Sequence, residues 1–413
     1  MKSPRPRAWI PPAGLIAGHL AYGLSWLMLA GAALTGSLTL GLELAWVHLV
    51  ALGWITTIAL AILMHVIPGF TDAVWVNENW GRAAIPVFAL GALLLSAALG
   101  LNSQPLLPVG GTITTAALAV YLFAALRTLA QPGFERQERA VAGALAMTLV
   151  LLALTAGLGF AFTLALSRGL FAGVLRLAPA HAVLSLVGWL TILATGVSAR
   201  TFRPIFGAKS RVAAVHIVVG AALAAGTVAA ALAIALRSSS GLDLGLSAIG
   251  AGALAYVLDG LDIARRATIE HRPPQAFAIA AMLWLSAAVG LVAATRFGAP
   301  ALPVAIFVAL AGWIGQMVNA HLHHIGIRLL ATLVLGDDDE TRPNHLLDAR
   351  LSWFTFATAQ LAVLLGAIGL AAIRTDVLGL AALAGLAAFL GLSANVVIAR
   401  GAALQRRTLG SQQ

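Results

Sequence analysis

Apolar residues run along this chain in long stretches, broken by short connections that carry proline, glycine and arginine. A helix needs roughly 20 apolar residues to cross the hydrocarbon core of a bilayer. Read for such runs, the sequence predicts twelve spans, at about 13–37, 44–68, 83–101, 105–129, 140–167, 180–203, 211–236, 241–263, 275–295, 299–324, 351–373 and 376–399. The fold class this implies is all-α, a polytopic membrane protein of about 12 transmembrane helices. A basic arm over 1–12 precedes the transmembrane domain, 13–400, and a basic tail over 401–413 follows it. Spans seven and eight are rich in alanine and glycine, which permits close helix packing.

Composition strengthens the membrane reading. Of the 413 residues 60% are hydrophobic and only 10% charged, against about 25% charged in a soluble domain. With no cysteine, the chain cannot hold disulfides, covalently attached c-type haem, thiolate-ligated iron–sulfur clusters or a thiolate copper centre. The net charge of +10 is almost wholly arginine, Lys2 and Lys209 being the only lysines. These arginines sit at the ends of apolar runs, so they read as topology signals and contacts to anionic lipid, not as a nucleic-acid surface. Twenty of the 25 basic residues fall in the N-terminal arm, the connections after even-numbered spans and the C-terminal tail. Arg168, Arg176, Arg237, Arg296 and Arg374 fall on the other side. The positive-inside rule then puts both termini in the cytoplasm of a bacterial-type inner membrane. The acidic run Asp337, Asp338, Asp339 and Glu340 reads as a solvated loop, with divalent-cation binding as the alternative.

Histidine carries the candidate chemistry, because ionisable side chains inside a membrane are costly and tend to be functional. Two cassettes stand out. His48 is followed by Gly53-Trp54 and then by His65 and Pro68; His181 is followed by Gly188-Trp189 and then by Arg203-Pro204. On the predicted topology His48 and His181 share the outer level of the membrane. His65, His321, His323 and His324 form an inner group, with His19 and His216 on the same half. The outer pair is the candidate metal or haem ligand set, and the inner histidines are further cofactor candidates. Ordinary readings stand beside these: headgroup-level histidines, an interfacial basic patch at His321–His324, simple helix packing by the Gly-Trp pairs, and a proton relay. His271 and His345 fall in loops and carry no assigned role.

The cassettes Leu49-Val50-Ala51-Leu52-Gly53-Trp54 and Leu184-Ser185-Leu186-Val187-Gly188-Trp189, with His48 near the outer end of helix two and His181-Ala182-Val183-Leu184 in helix six, resemble subunit I of the haem–copper oxidase superfamily. The likeness is to its short oxidase-like relatives, including nitric-oxide-response membrane proteins of the NnrS type. The stretch Ala320 to Leu330 resembles their helix-ten end loosely. The resemblance covers most of the chain. It implies haem b and copper as cofactors, His48 as a haem ligand, His181 in the region of a copper ligand, and electron transfer or handling of O2 or NO. It also implies a redox partner or respiratory subunits within the lipid bilayer. The chain departs from the oxidases at three places. Helix seven holds only His216, the outer half of helix ten from Ala299 to Trp313 has no histidine, and Ser185 stands where the active-site tyrosine is expected. A complete binuclear oxygen-reducing site is therefore not expected. A histidine-dependent proton or metal transporter and a cofactor-free assembly partner of a respiratory complex are the alternatives. The chain has no P-loop, Gly-x-Ser-x-Gly or His-Glu-x-x-His motif.

The arginine asymmetry predicts a labelling pattern. A cysteine placed at Ser210 should react with a membrane-impermeant thiol reagent only from the cytoplasmic face, and one at Ser240 only from the opposite face. The reverse pattern in spheroplasts and inverted vesicles would contradict the orientation.

Overall fold

The computed structural model describes residues 11–132, 134, 136–212, 214–336 and 345–410. These form twelve helices long and apolar enough to cross a membrane. We label them α1 (Pro12–Leu34), α2 (Leu40–Thr71), α3 (Glu78–Gly100), α4 (Leu106–Leu129), α5 (Arg136–Arg168), α6 (Ala172–Phe206), α7 (Val215–Leu236), α8 (Ser239–Arg265), α9 (Arg272–Arg296), α10 (Leu302–Leu335), α11 (Ala349–Ala371) and α12 (Thr375–Gly410). Twelve crossings place both ends of the chain on one side, called here the terminal side; the other is the distal side.

Local chemistry marks the starts. Thr39, Ser238 and Asp348 each accept a backbone N–H of the first turn of α2, α8 and α11, satisfying a donor that the helix leaves free. Proline opens α1, α9 and α10, where its missing N–H costs no helix bond.

Two helices run well past their expected ends. The apolar run predicts that α10 stops near 324, but it continues to Leu335. Ile327 and Ala331 on this extension are buried against Leu346 and against Ala399 and Ala403 of α12, which itself runs on to Gly410. Each extension supplies the apolar surface that buries the other. The acidic run Asp337–Glu340, residues 1–10 of the basic arm and residues 411–413 lie outside the described residues.

The helices pack in a threefold pattern. Adjacent spans form tight hairpins at α3–α4, α7–α8 and α11–α12, and α4–α5, α8–α9 and α12–α1 join one group of four to the next. In the middle, α10 touches both α2 and α6. The inner faces of α2, α6 and α10 carry the bulkiest fully buried side chains, Trp54, Trp189 and Trp313.

Each central helix widens into a π-helical turn around its tryptophan, over Leu49–Thr56, Leu184–Thr191 and Val308–Ile314. A widened turn disturbs the i to i−4 ladder, and a polar side chain takes up a carbonyl five residues back in every case. Thr57 Oγ1 donates to Leu52 O at 2.9 Å, Thr191 Oγ1 to Leu186 O at 2.7 Å, and Gln316 Nε2 to Ala311 O at 3.2 Å.

The tryptophans then link the three helices in a cycle. Trp189 Nε1–H donates to Thr56 Oγ1 at 3.0 Å, and Trp313 Nε1–H donates to Thr191 Oγ1 at 3.1 Å. Trp54 reaches the third equivalent position, Gly315, where an added Cβ would lie 3.1 Å from its ring edge. Thr56, Thr191 and Gly315 each stand two residues after the tryptophan of their own helix. Glycine at the third corner makes room for the Trp54 ring and leaves its N–H without a partner. That ring stacks instead on Tyr22 of α1, with centroids 3.9 Å apart.

The Gly-Trp glycines serve helix packing. A Cβ at Gly312 would lie 2.9 Å from the Trp284 side chain of α9, one at Gly188 3.1 Å from Thr227 of α7, and one at Gly53 3.1 Å from Ala21 of α1. They let helices approach.

Thr56→Val or Thr191→Val removes the acceptor and leaves a buried indole N–H unsatisfied. Each should lower stability by about 1–3 kcal/mol, read as a lower thermal unfolding midpoint in detergent. An unchanged midpoint in both would show that the cycle does not hold the centre together.

A paired histidine site on the distal side

His48 and His181 are brought together at the seam between α2 and α6. Their ring centroids are 6.5 Å apart and their planes differ by only 19°. Each lies near the distal start of its helix, as the span order requires.

Both rings are held by a bond from Nδ1. His48 Nδ1 lies 2.7 Å from Leu44 O of its own helix, and His181 Nδ1 lies 3.1 Å from Thr155 O of α5. A carbonyl can only accept, so each Nδ1 carries the proton and each Nε2 presents a bare lone pair. Among the described residues neither Nε2 has a hydrogen-bond partner. The second ring is also held by shape. A Cβ at Gly159 would stand 3.1 Å from its Cε1, and Phe162 packs edge-on at 5.4 Å. Ring orientation fixed through Nδ1 with Nε2 left free is the arrangement by which histidines ligate metals.

The equivalent position on α10 is not a histidine. Phe307 precedes Trp313 by six residues, as His48 precedes Trp54, and it stacks on Trp46 at 5.1 Å. A cavity of about 210 Å³ lies beside it, lined by Leu29, Leu38, Leu44, Trp46, Phe307 and Glu43, its one ionisable group. Glu43 and Leu44 belong to the turn that carries His48.

The inner histidines do not converge in the same way. His321 Nδ1–H donates to Met317 O, and its Nε2 takes the Thr201 hydroxyl of α6 at 2.8 Å. His323 Nδ1–H donates to Asn319 O at 2.9 Å and its ring stacks on Phe277 of α9 at 5.0 Å. His324 Nδ1 meets His271 Nδ1 at 3.0 Å. The helix therefore points these three rings at different neighbours, and His65 has no hydrogen bond or ring contact with any of them. His19 bonds Ser393 of α12 at 2.7 Å, and His216 lies 3.8 Å from Asp259. Among the described residues no three or more His, Asp or Glu side chains gather as a metal cage.

His271 lies in a connection in sequence, yet only 5% of its surface is exposed. Pro273 and Pro274 follow it and start α9 at Arg272, so His271 caps that helix and turns in against α10. Those prolines were the available sign. The third Gly-Trp pair, Gly312-Trp313, was equally readable from its match to the other two, but no histidine precedes it to draw attention.

In comparisons with known proteins, no family model and no curated sequence matches this chain.

Burial holds His271 neutral and lowers its pKa from 6.5 to about 4. The unfolded chain takes up this proton below pH 6.5, while the folded protein resists it down to about 4. The contribution to stability is thus complete above pH 6.5 and is lost as pH falls through that window. His271→Gln should reduce the loss of thermal stability between pH 7 and pH 4.5. Identical pH profiles for the variant and the parent would contradict this burial.

Proposed function

We propose that this protein binds haem, copper or both at His48 and His181, and serves in electron transfer or in handling a diatomic gas such as O2 or NO. The observation that carries the reading is the pair of facing imidazoles, each with Nδ1 occupied and Nε2 free. Two imidazoles that ligate one ion from opposite sides, through bonds of about 2 Å, put their centroids about 6 Å apart. The ring centroids of His48 and His181 lie 6.5 Å apart, a spacing compatible with that geometry.

A bound haem would supply an iron that cycles between two oxidation states. The rest is the work of the chain. Leu44 O and Thr155 O keep both imidazoles in the ligating tautomer, and Gly159 and Phe162 fix the angle of the His181 ring. Leucine, tryptophan and phenylalanine around the nearby cavity give a non-polar molecule a place close to the His48 turn.

The resemblance to haem–copper oxidase subunit I supports the same assignment, with the departures noted above. Ser185 stands at the tyrosine position, and the one histidine of α7, His216, lies against Asp259. The reading is of an oxidase-like relative without the binuclear oxygen-reducing centre, working with a redox partner or respiratory subunits in a bacterial-type inner membrane, with both termini cytoplasmic.

Protein purified from haem-supplied cells should show a Soret band that shifts on reduction. His48→Ala and His181→Ala should each abolish or shift it, and His65→Ala should leave it unchanged. Folded wild-type protein that carries neither haem nor copper would overturn the reading.

A further inference from the structure

We propose that the distal cavity beside Phe307 binds a lipophilic cation, an ammonium head on an apolar body, taken from the surrounding bilayer. The cavity, of about 210 Å³, lies between the distal ends of α1, α2, α10, α11 and α12. Leu40, Leu44 and Leu302 line it and are exposed at the outer surface of the bundle. In a bundle of membrane-crossing helices that surface faces lipid. Its way in is therefore apolar and opens to the bilayer. Trp46 and Phe307, stacked at 5.1 Å, form part of the wall.

One charge stands in this apolar lining. Glu43 lies in the first turn of α2 and is the only ionisable residue that lines the cavity. Among the described residues its carboxylate has no ion pair and no hydrogen bond. Arg374, in the connection between Leu370 and Leu378 of the same wall, is already engaged. Its Nε and Nη2 donate to the two carboxylate oxygens of Asp376 at 2.8 and 2.6 Å.

That unpaired carboxylate selects the occupant. A neutral apolar molecule filling the cavity would strip water from a charge that has no partner, which is costly. A cation offsets the cost by direct attraction, which is stronger in an apolar surrounding than in bulk water. A calcium or magnesium ion needs several oxygen ligands, and leucines do not supply them. An ammonium head needs only the one carboxylate, and aromatic walls favour it further. Its apolar body is buried against the leucines, Trp46 and Phe307. The depth agrees as well. An apolar body with a charged head settles where hydrocarbon meets headgroups, the level at which α2 begins. The proposal does not rest on the assignment of His48 and His181, and it stands whether or not they hold a metal.

The test uses the full chain in nanodiscs of phosphatidylcholine, which carry no net charge to capture the probe. The probe is tritiated phenylpropyltrimethylammonium. Saturable binding of one equivalent is expected. Glu43→Gln should weaken it about tenfold or more, and the neutral carbon isostere, with tert-butyl in place of trimethylammonium, should compete about tenfold less well or worse. Absence of saturable binding, undiminished binding in Glu43→Gln, or equal competition by the isostere overturns the proposal; the last outcome would mark a cavity for neutral ligands. Leu302→Trp, a change at an exposed position of the mouth, covers the case in which Glu43→Gln fails to fold. It should also weaken binding of the cation, and an unchanged affinity there overturns the proposal.

Discussion

The centre of this protein is set by three tryptophans that must all be buried where three helices meet. An indole N–H buried without an acceptor costs stability, and a chain with so few polar side chains has few acceptors to offer. Two of the three solve the problem across the helix boundary, Trp189 with Thr56 and Trp313 with Thr191. These bonds fix both the depth and the rotation of α2, α6 and α10 relative to one another. A sliding or rotated helix would lose the bond in a region where water cannot replace it. Each helix also widens into a π-helical turn at its tryptophan, and a threonine or glutamine side chain takes up a carbonyl five residues back.

The cycle is not symmetric, and its asymmetry bears on the candidate chemistry. The distal levels of two of the seams between these helices are filled differently. Between α2 and α6, two imidazoles face each other with their Nε2 atoms free. At α10, Phe307 stacks on Trp46 of α2 beside a largely apolar cavity that Glu43 also lines. Only the first of these two seams offers imidazole nitrogen. The buried tryptophans Trp54 and Trp189 follow the two histidines along the same helices, six and eight residues on.

Much of the architecture could be read in the sequence because bilayer thickness and backbone hydrogen bonding leave few choices. All twelve spans appear, and the depth ordering of His48 and His181 follows directly from them. The ends of α10 and α12 were less legible, because these helices extend by burying one another, a long-range contact that local hydropathy does not report. Residue identity alone also grouped His321, His323 and His324. Adjacent positions on a helix point in different directions, so the three found partners on α6, on α9 and at His271. His271 was discounted for lying in a connection, although the two prolines after it mark the start of α9 and place it at the mouth of that helix.

Electron paramagnetic resonance of the purified, oxidised protein labelled with 15N-histidine tests the central claim most directly. Two axial imidazoles with planes only 19° apart predict a rhombic low-spin ferric signal with hyperfine coupling to two histidine nitrogens. A high-spin ferric signal, or a bound metal with no coupling to histidine nitrogen, would contradict the assignment of His48 and His181 as a joint ligand pair.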